Sequence, residues 1–283
     1  MNWTEEALER CLDRIGQNME RIGEHFPHVA YDNVYNDQGP AFWVSGFWPG
    51  LLWLRYQGTK DEKALELARK LEDVMDSVLD GFMTLHHDVG FMWLPSAVID
   101  YKLTGNEASK IRGLKAASHL AGRFNLAGQF IRAWTDRVQV GTQGWAIIDC
   151  MMNIPLLFWA SKETNDPRFY HIAKAHADTV LRCFLRPDNT SAHIVSFDPY
   201  TGEKIENLGG QIRFLSQVTD FEITEGKLAA VIVNGTERIP VQAAVAAIGH
   251  SARDTFEILY EKQVSMEAKP FAVGFRIQHP QTM

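Results

Sequence analysis

Two patterns of hydrophobic and polar residues divide the chain. From residue 4 to residue 185, apolar residues recur at intervals of three and four, which is the period of an amphipathic helix. After about residue 204, short apolar runs alternate with Glu-Gly, Asn-Gly and Ile-Pro pairs, which is typical of strands joined by turns. We therefore predict a mainly α domain over residues 1–203 and a small α+β, strand-rich segment over residues 204–283.

Seven helices are predicted in the first domain. Capping residues place several of the starts: Thr4 precedes a glutamate-rich turn, Asp61 opens a charged run, and Asp166 precedes Pro167. The predicted ranges are 4–25, 44–57, 60–79, 89–103, 108–123, 142–161 and 167–185. Helices with a charged face alternate with unusually apolar ones, which predicts stacked helical hairpins with one set of helices outside and the other surrounded.

Three stretches rich in tryptophan and aspartate open the more apolar helices, which are the second, fourth and sixth in order. They are FWVSGFWPGLLWL, HHDVGFMWLPSA and GTQGWAIIDCMMNIP. In an array of antiparallel hairpins every second helix starts at the same end. We therefore expect these three openings to lie on one rim, where residues distant in sequence can converge.

Asp88 and Asp149 are the candidate acid/base residues on that rim. Taken alone, an aspartate at position 88, just before Gly90 and an apolar run, is typical of a helix cap. Asp149 lies in one of the most apolar stretches of the chain, where a carboxylate is costly unless it is paired or functional. Burial would raise the pKa of Asp149 and make it a general acid near neutral pH. The two carboxyls therefore form a candidate catalytic pair.

Metal binding and sugar binding are the other chemistries to weigh. His86, His87, Asp88 and His193 could ligate a metal, but the chain has no HExxH, cysteine-rich or EF-hand pattern, so we expect none. His193 follows a turn-rich loop and could be an ordinary surface residue. Aromatic residues are core by default, but several of the tryptophans fall in helix openings or loops, where they could stack on sugar rings beside a cation such as Arg132.

Composition and charge narrow the class of protein. The chain has 283 residues, of which 46% are hydrophobic, and a formal net charge of −7 without a dense basic tract, so we expect neither a nucleic acid nor an anionic membrane as partner. Cys11, Cys150 and Cys183 lack zinc spacing, and we expect reduced thiols in a cytoplasmic protein. The acidic, amphipathic start indicates neither export nor a membrane span.

The runs HHDVGF, GTQGWAIIDCMMNIPLLFWASKETNDPRFYHIAKAHADTVLR and RPDNTSAHIVSFDPYTGE together resemble glycoside hydrolase family 88, the unsaturated glucuronyl hydrolases. The resemblance covers residues 1–203. It implies an (α/α)6 toroid of six hairpins, of which this sequence supplies about three and a half. We therefore expect an incomplete toroid with uncovered apolar helix faces, which could favour self-association.

The resemblance also implies a reaction and roles for particular residues. Members of this family hydrate the C4=C5 double bond of the unsaturated uronic acid at the end of lyase-generated oligosaccharides, and the resulting hemiketal opens to release the neighbouring sugar. Matched onto this chain, Asp149 is the acid/base and Asp88 supports it. His87 and His193 would be further pocket contacts, with Trp43 and Trp134 against the sugar rings. Such hydration needs a positioned proton donor and no cofactor.

Residues 204–283 resemble a different group, a fragment of the HI-type NAD(P)/FAD-dependent flavoprotein dehydrogenases. The runs that carry this resemblance are GGQIRFLSQVTDFEI, AAIGHSARDTFEILYEK and AKPFAVGFRIQHPQTM. The glycine-rich dinucleotide motif of such proteins is absent from the sequence, so we do not expect this segment alone to bind FAD. The alternatives to a hydrolase are a FAD-dependent oxidoreductase fragment and a non-catalytic fragment. A recombined or misassembled coding sequence would explain a chimera of two partial domains.

Overall fold

The computed structural model describes residues 3–32, 34–135, 141–211, 215–246, 248 and 252–266. The chain divides into two compact units, Met1–Ile212 and Arg213–Met283. This division falls later than the predicted boundary after residue 203, because residues 204–211 form a strand that pairs within the first unit.

The first half of the first unit is mainly helical. Helix α1 (Trp3–Ile22) is followed by an antiparallel pair of short strands, β1 (Pro27–Tyr31) and β2 (Val34–Asp37). The next elements, in chain order, are α2 (Phe47–Thr59), α3 (Glu62–Gly81), α4 (Val89–Trp93), α5 (Ala97–Thr104) and α6 (Glu107–Gly122).

The second half of the first unit mixes short strands with two helices. Its elements are β3 (Phe124–Asn125), β4 (Phe130–Ile131), β5 (Trp145–Ile147), a 3-10 helix (Ile148–Met152), α7 (Pro155–Thr164), α8 (Pro167–Cys183), β6 (Ala192–Phe197) and β7 (Lys204–Gln211). Strands β3 and β4 form a small hairpin, and the order of the other sheet is β5-β6-β7, with antiparallel pairing throughout.

Three helical hairpins build the core of the first unit, as the alternation of charged and apolar helices predicted. Helix α2 packs against α3, α5 against α6, and α7 against α8. The core between them contains fully buried side chains from each hairpin, including Trp53, Met75, Leu120 and Leu157. The one polar atom of the Trp53 ring is satisfied, because Nε1 donates to Oε1 of Glu72 at 2.7 Å.

Two predicted helices differ from the structure. The helix over 142–161 is wrong in its first half, because residues 145–147 pair with β6, with Ile147 opposite Ile194, and α7 begins only at Pro155. Proline is favoured in the first helical turn and disfavoured further in, so it marks this start. The helix over 89–103 is interrupted between α4 and α5 by Pro95, which lacks the N–H that a continuous helix needs.

In its described residues, the second unit is a three-stranded antiparallel sheet with one helix, as the strand-and-turn pattern predicted. Strands β8 (Val218–Thr224), β9 (Lys227–Val233) and β10 (Glu237–Pro240) lie in the order β10-β9-β8, and helix α9 spans Arg253–Glu261. Its small core forms around Phe221, Val231 and Val233. Gly249, in the run AAIGHSARDTFEILYEK, and the run AKPFAVGFRIQHPQTM at 268–283 lie outside the described residues.

Within the described residues, none of the helices combines the length and the apolar character that crossing a membrane would require.

Candidate active site

Asp88 stands at the start of α4, where it occupies the position of a helix cap, but its side chain makes no capping hydrogen bond. Asp88 is therefore the N-cap residue by position, while its carboxyl binds other partners. Its Oδ2 lies 2.9 Å from Nδ1 of His86 instead. Its Oδ1 accepts a hydrogen bond from Nδ2 of Asn153 at 3.2 Å. The carboxyl of Asp88 is buried and turned away from its own helix.

Asp149 lies in the 3-10 turn between β5 and α7. The structure brings it next to His87, which also contacts Asp88. Nε2 of His87 lies 3.3 Å from Oδ1 of Asp88 and 3.7 Å from Oδ1 of Asp149. The Asp149 side chain is 44% exposed, yet Oδ1 is buried and has no hydrogen-bond partner among the described residues. One imidazole thus contacts both acids, and Asp149 still opens to solvent.

The two carboxyls have pKa shifts of opposite sign. Burial, together with the negative charge of Asp88, raises the pKa of Asp149 to about 6. Burial also acts to raise the pKa of Asp88, but the hydrogen bond from His86, the two histidines and Asn153 outweigh it, and the net shift is downward. Near neutral pH, Asp88 is therefore ionised, while Asp149 is the more readily protonated of the two. This separation is the usual mark of an acid/base pair.

His87 is neutral between the two acids. Its side chain is 1% exposed, and burial lowers the pKa of His87 to about 4; the attraction of Asp88 opposes that shift, and the charges of His86 and Arg123 reinforce it. A neutral imidazole has one N–H donor and one acceptor nitrogen. His87 can therefore donate to a carboxylate without adding a positive charge to the site.

A half-buried arginine fixes a chain segment next to this group. Arg123 donates from Nε to the main-chain oxygen of Arg132 at 2.8 Å. It also donates from Nη2 to the oxygens of Ala133 and Trp134 at 3.0 and 2.8 Å. The same Ala133 oxygen accepts the N–H of His87 at 3.1 Å. Arg123 therefore orders the segment that carries Trp134 and ties it to His87.

Asn153 is a residue of the site that the sequence analysis missed. It is fully buried, and its Oδ1 accepts the N–H of Phe91 at 2.8 Å while Nδ2 serves Asp88. Nδ2 also lies 3.4 Å from the main-chain oxygen of Asp149. Asn153 carries the same sequence signal as Asp149, because both are polar residues within one apolar run.

The other predicted contact residues lie outside this hydrogen-bonded group in the described structure. His193 is exposed on β6. Trp43, 37% exposed, lies before α2, with its ring centroid 5.7 Å from that of Phe91. The ring of Trp134 lies 5.8 Å from that of Trp145. These side chains present aromatic or polar surface, and their contact with a sugar stays a prediction.

His87, Asp88 and Asp149 also satisfy a simple criterion for metal ligation, since each offers one ligand atom and these atoms lie within 4.8 Å of one another. One imidazole and two carboxylates are an ordinary donor set for a divalent cation. The sequence contains no known metal motif around them. We therefore keep the interpretation of the group as an acid/base pair.

Comparison with known proteins shows which proteins this chain is similar to. The unsaturated chondroitin disaccharide hydrolase of Streptococcus pneumoniae is 35% identical over 210 residues, which is 73% of this chain and 52% of the relative. The unsaturated glucuronyl hydrolase of Bacillus sp. GL1 is 36% identical over 203 residues, covering 71% of this chain and 54% of the relative. Over about three quarters of its length, this chain is a homologue of the unsaturated glucuronyl hydrolases.

Solved structures of unsaturated glucuronyl hydrolases share the fold. The enzyme from Bacillus sp. GL1 superimposes with a TM-score of 0.69 at 34% identity, covering 76% of this chain and 58% of that chain. The enzyme from Streptococcus agalactiae gives 0.68 at 31% identity, with 76% and 55% covered. The predicted helical-hairpin fold and the resemblance to these hydrolases are therefore confirmed. None of the protein-family models matches the chain.

The chain spans about half the length of the curated unsaturated glucuronyl hydrolases that it matches. None of the relatives and structures named above is a flavoprotein. The resemblance of residues 204–283 to flavoprotein dehydrogenases therefore stays a prediction, and so does the interpretation of the chain as a chimera.

Proposed function

We propose that this chain acts as an unsaturated glucuronyl hydrolase, which adds water across the C4=C5 double bond of an unsaturated uronic acid. One observation carries the proposal: the pKa of Asp149 is raised to about 6 beside Asp88, whose pKa is lowered. The homology to unsaturated glucuronyl hydrolases gives this acid pair a reaction. The substrate class would be the oligosaccharides that polysaccharide lyases leave with an unsaturated uronate at the non-reducing end.

Asp149 acts first as an acid. A group with a pKa of about 6 is protonated in about one molecule in ten at pH 7. Its proton moves to C4, the electrons of the double bond form the new C–H bond, and positive charge develops at C5 and the ring oxygen. The ionised carboxyl of Asp88 lies beside this centre and stabilises the positive charge.

Asp149 then acts as a base. A water molecule attacks C5, and its proton passes to the carboxylate of Asp149, which regenerates the acid. The product at C5 is a hemiketal. Opening of the hemiketal breaks the bond between C5 and the ring oxygen, which leaves a ketone at C5 and a hemiacetal at C1. The hemiacetal collapses to an aldehyde and releases the neighbouring sugar as an alcohol. Water is the sole co-reactant, and Asp149 recovers from it the proton that it gave to C4.

Several side chains would hold the substrate in this proposal. Trp43 and Trp134 offer flat apolar faces of the kind on which sugar rings stack, and His193 is exposed on β6. His87 contacts both acids and would add a hydrogen bond near C4 and C5. Replacing Trp134 with alanine should raise KM more than it lowers kcat, because stacking acts on substrate and transition state alike.

The loss of ultraviolet absorbance of an unsaturated disaccharide tests the activity. We expect the full chain to bleach the conjugated uronate and Asp149→Asn to abolish the reaction, because the amide cannot donate the required proton. Asp178→Asn is the matched control, since Asp178 pairs with Lys174 on the exposed surface of α8. Unchanged absorbance with folded protein over several unsaturated disaccharides would overturn the proposal.

We further propose that the chain pairs with a second copy through α2. Phe47, Leu51 and Leu54 recur at helical spacing there and are 40%, 44% and 41% exposed, and Met152 adds a 64% exposed side chain. Leu51, Leu54 and Met152 line one apolar cavity of the first unit. A continuous exposed apolar face of this kind is typical of an interaction surface.

Sedimentation velocity tests the pairing. Leu51→Glu should shift the chain to monomer, while Leu181→Glu, at a 63% exposed position on α8, should leave its association unchanged. A monomeric wild-type chain at micromolar concentration would contradict the proposal.

We also propose a cytoplasmic location, which is supported by the absence of disulfides among Cys11, Cys150 and Cys183.

A further inference from the structure

A second buried histidine, His176 on α8, lies behind the acid pair without belonging to it. Its Nδ1 accepts the N–H of Ile131 at 3.1 Å. Burial lowers the pKa of His176 to about 3, so the ring is neutral. A neutral imidazole that accepts at Nδ1 carries its proton on Nε2. That Nε2–H is buried and has no hydrogen-bond partner among the described residues.

His87 has a buried acceptor nitrogen that lacks a donor. Its Nε2 lies 3.3 and 3.7 Å from oxygens of Asp88 and Asp149, although within the described residues it completes a hydrogen bond with neither. A bare nitrogen facing an ionised carboxylate would be repelled, so Nε2 carries the proton of His87 and Nδ1 is an acceptor. This Nδ1 is also buried and lacks a partner among the described residues. One ring therefore has a spare donor and the other a spare acceptor.

The chain segment around β4 contacts both histidines. The N–H of Ile131 donates to the ring of His176, and the oxygen of Ala133 accepts the main-chain N–H of His87 at 3.1 Å. The intervening Arg132 directs its N–H the other way, to Arg123. In an extended segment, alternate residues present their polar groups to the same edge. The ring of His176 and the main chain of His87 therefore meet one edge, at residues two apart, which corresponds to about 7 Å.

Leaving a buried donor without a partner is costly, so these complementary atoms are expected to be paired. We propose that His176 is a positioning residue, which donates from Nε2 to Nδ1 of His87, directly or across one buried water, and thereby holds His87 with its proton on Nε2. A buried water that satisfies two polar groups is an ordinary structural component. The electrostatic influence of His87 on His176 agrees with their proximity.

This arrangement gives the two acids a defined hydrogen-bond donor. A chain runs from the N–H of Ile131 through both imidazoles to Asp88. With its proton on Nε2, His87 stabilises the ionised form of Asp88. The charge of Asp88 in turn raises the pKa of Asp149. His176 thus acts on the acid through His87, and only this last consequence rests on the proposed function.

Two variants of His176 separate the relay from a merely structural role. His176→Asn keeps an oxygen near the position of Nδ1, which can accept from Ile131, but it offers no donor at Nε2. His176→Gln places an amide N–H near the position of Nε2. If His176 only holds Ile131, the asparagine variant suffices; if it sets the tautomer of His87, the glutamine variant is needed.

The measurement is the ring-nitrogen spectrum of the full chain labelled with ¹⁵N-histidine, with His87 assigned by His87→Gln. We expect one His87 tautomer, protonated on Nε2, in the wild type and in His176→Gln, and loss of that single tautomer in His176→Asn. The pKa of Asp88, followed by carboxyl ¹³C shifts, should rise in His176→Asn, because Nε2 of His87 no longer holds a proton towards it.

Protonation of His87 on Nδ1 in the wild type would overturn the inference, and so would a His87 spectrum unchanged by His176→Asn. The wild-type spectrum decides the question even where a variant fails to fold. It requires no turnover, so a failure of the proposed activity leaves the tautomer result standing and is recognised separately.

Discussion

Asn153 donates a hydrogen bond from Nδ2 to Oδ1 of Asp88 at 3.2 Å, which links residues that precede two different helices, α7 and α4. The same side chain accepts the N–H of Phe91 through Oδ1. A single buried amide therefore fixes both the start of α4 and the acid at its first position. The position of Asp88 depends on a residue that is itself not charged.

Replacement of Asn153 with alanine should damage both stability and the acid pair. It removes two hydrogen bonds and leaves the N–H of Phe91 buried, at a cost of about 1–3 kcal/mol in the free energy of unfolding. The pKa of Asp88 should rise because the amide lowers it. Urea denaturation followed by tryptophan fluorescence checks the first effect, and carboxyl ¹³C titration the second.

Asn18→Ala is the matched control for that experiment. Asn18 lies on α1, and its Oδ1 has no hydrogen-bond partner in the part of the chain that the structure describes. Its removal should leave the free energy of unfolding within about 0.5 kcal/mol of the wild type. Equal losses from the two substitutions would show that Asn153 has no special role.

Gly90 should not tolerate alanine. A Cβ at this position would lie 2.4 Å from the Cα of Asn153, a backbone contact that requires the chain to move. We expect Gly90→Ala to cost about 1–3 kcal/mol and to disturb Asp88. Gly122→Ala, at the end of α6 with nothing within 4 Å, should be neutral or slightly stabilising. Thermal unfolding of the two variants gives the comparison, and a stable Gly90→Ala would refute this account.

Asp88→Asn should lower the pKa of Asp149. The negative charge of Asp88 is one of the two main causes that raise it to about 6, and the asparagine side chain removes that charge while keeping the size. Burial remains, so the pKa should stay above the ordinary aspartate value. Carboxyl ¹³C titration measures the change, with Asp178→Asn as the control. An unaltered Asp149 titration would mean that the two acids are electrostatically independent.

The rate should follow the protonation of Asp149. Above pH 6 the acid form decreases tenfold per pH unit, so kcat/KM should fall with a slope of −1 on a logarithmic scale. At low pH the rate should fall again as Asp88, whose pKa is lowered, becomes protonated. A bell-shaped profile from initial rates would agree with the two roles. A rate that rises steadily to pH 9 would rule out Asp149 as the acid.

Glu72 should make the first unit less stable as the pH rises. Burial raises its pKa to about 8, against the hydrogen bond from Trp53. A carboxyl with a raised folded-state pKa stabilises the fold fully below its unfolded pKa, and this stability is lost as the pH rises through the folded value. Between about pH 5 and 8 the expected slope is about −1.4 kcal/mol per pH unit.

Glu72→Gln tests that slope, because the amide is neutral at every pH. Urea denaturation at several pH values, followed by tryptophan fluorescence, reports the first unit alone, since all eight tryptophans lie at or before residue 159. The variant should show a flatter pH dependence than the wild type between pH 5 and 8. Parallel curves for the two proteins would assign the pH dependence to other groups.

The sequence predicted well the features that depend on local pattern. The helical period located the hairpins, and the Glu-Gly and Asn-Gly pairs located turns, with Gly226 and Gly235 both at positive φ. It failed at residues 142–154, where an apolar run without alternation is ambiguous between a helix and a buried strand. Pairing with β6, which is distant in sequence, decided for a strand in this case.

The charged residues of the candidate site could be predicted from the sequence, but most of the residues that position them could not. Asp149 was recognisable because burial of a carboxyl in an apolar run is costly unless the carboxyl is paired or functional. Asn153 carried the same signal in the same run, whereas Arg123 and His176 were not recognisable, because their hydrogen bonds join segments that only the fold brings together. The sequence also could not show that His87 lies between the acids, because its neighbour His86 has the same residue type and a similar position.

The separation of Asp88 and Asp149 in the chain has one further consequence. Each acid precedes a different hairpin, so the charge of one reaches the other only after the two hairpins have docked. In an unfolded chain Asp149 would titrate as an ordinary aspartate. The pKa of Asp149 therefore reports whether the two hairpins have docked. It can distinguish docked hairpins from helices that have formed but not yet come together.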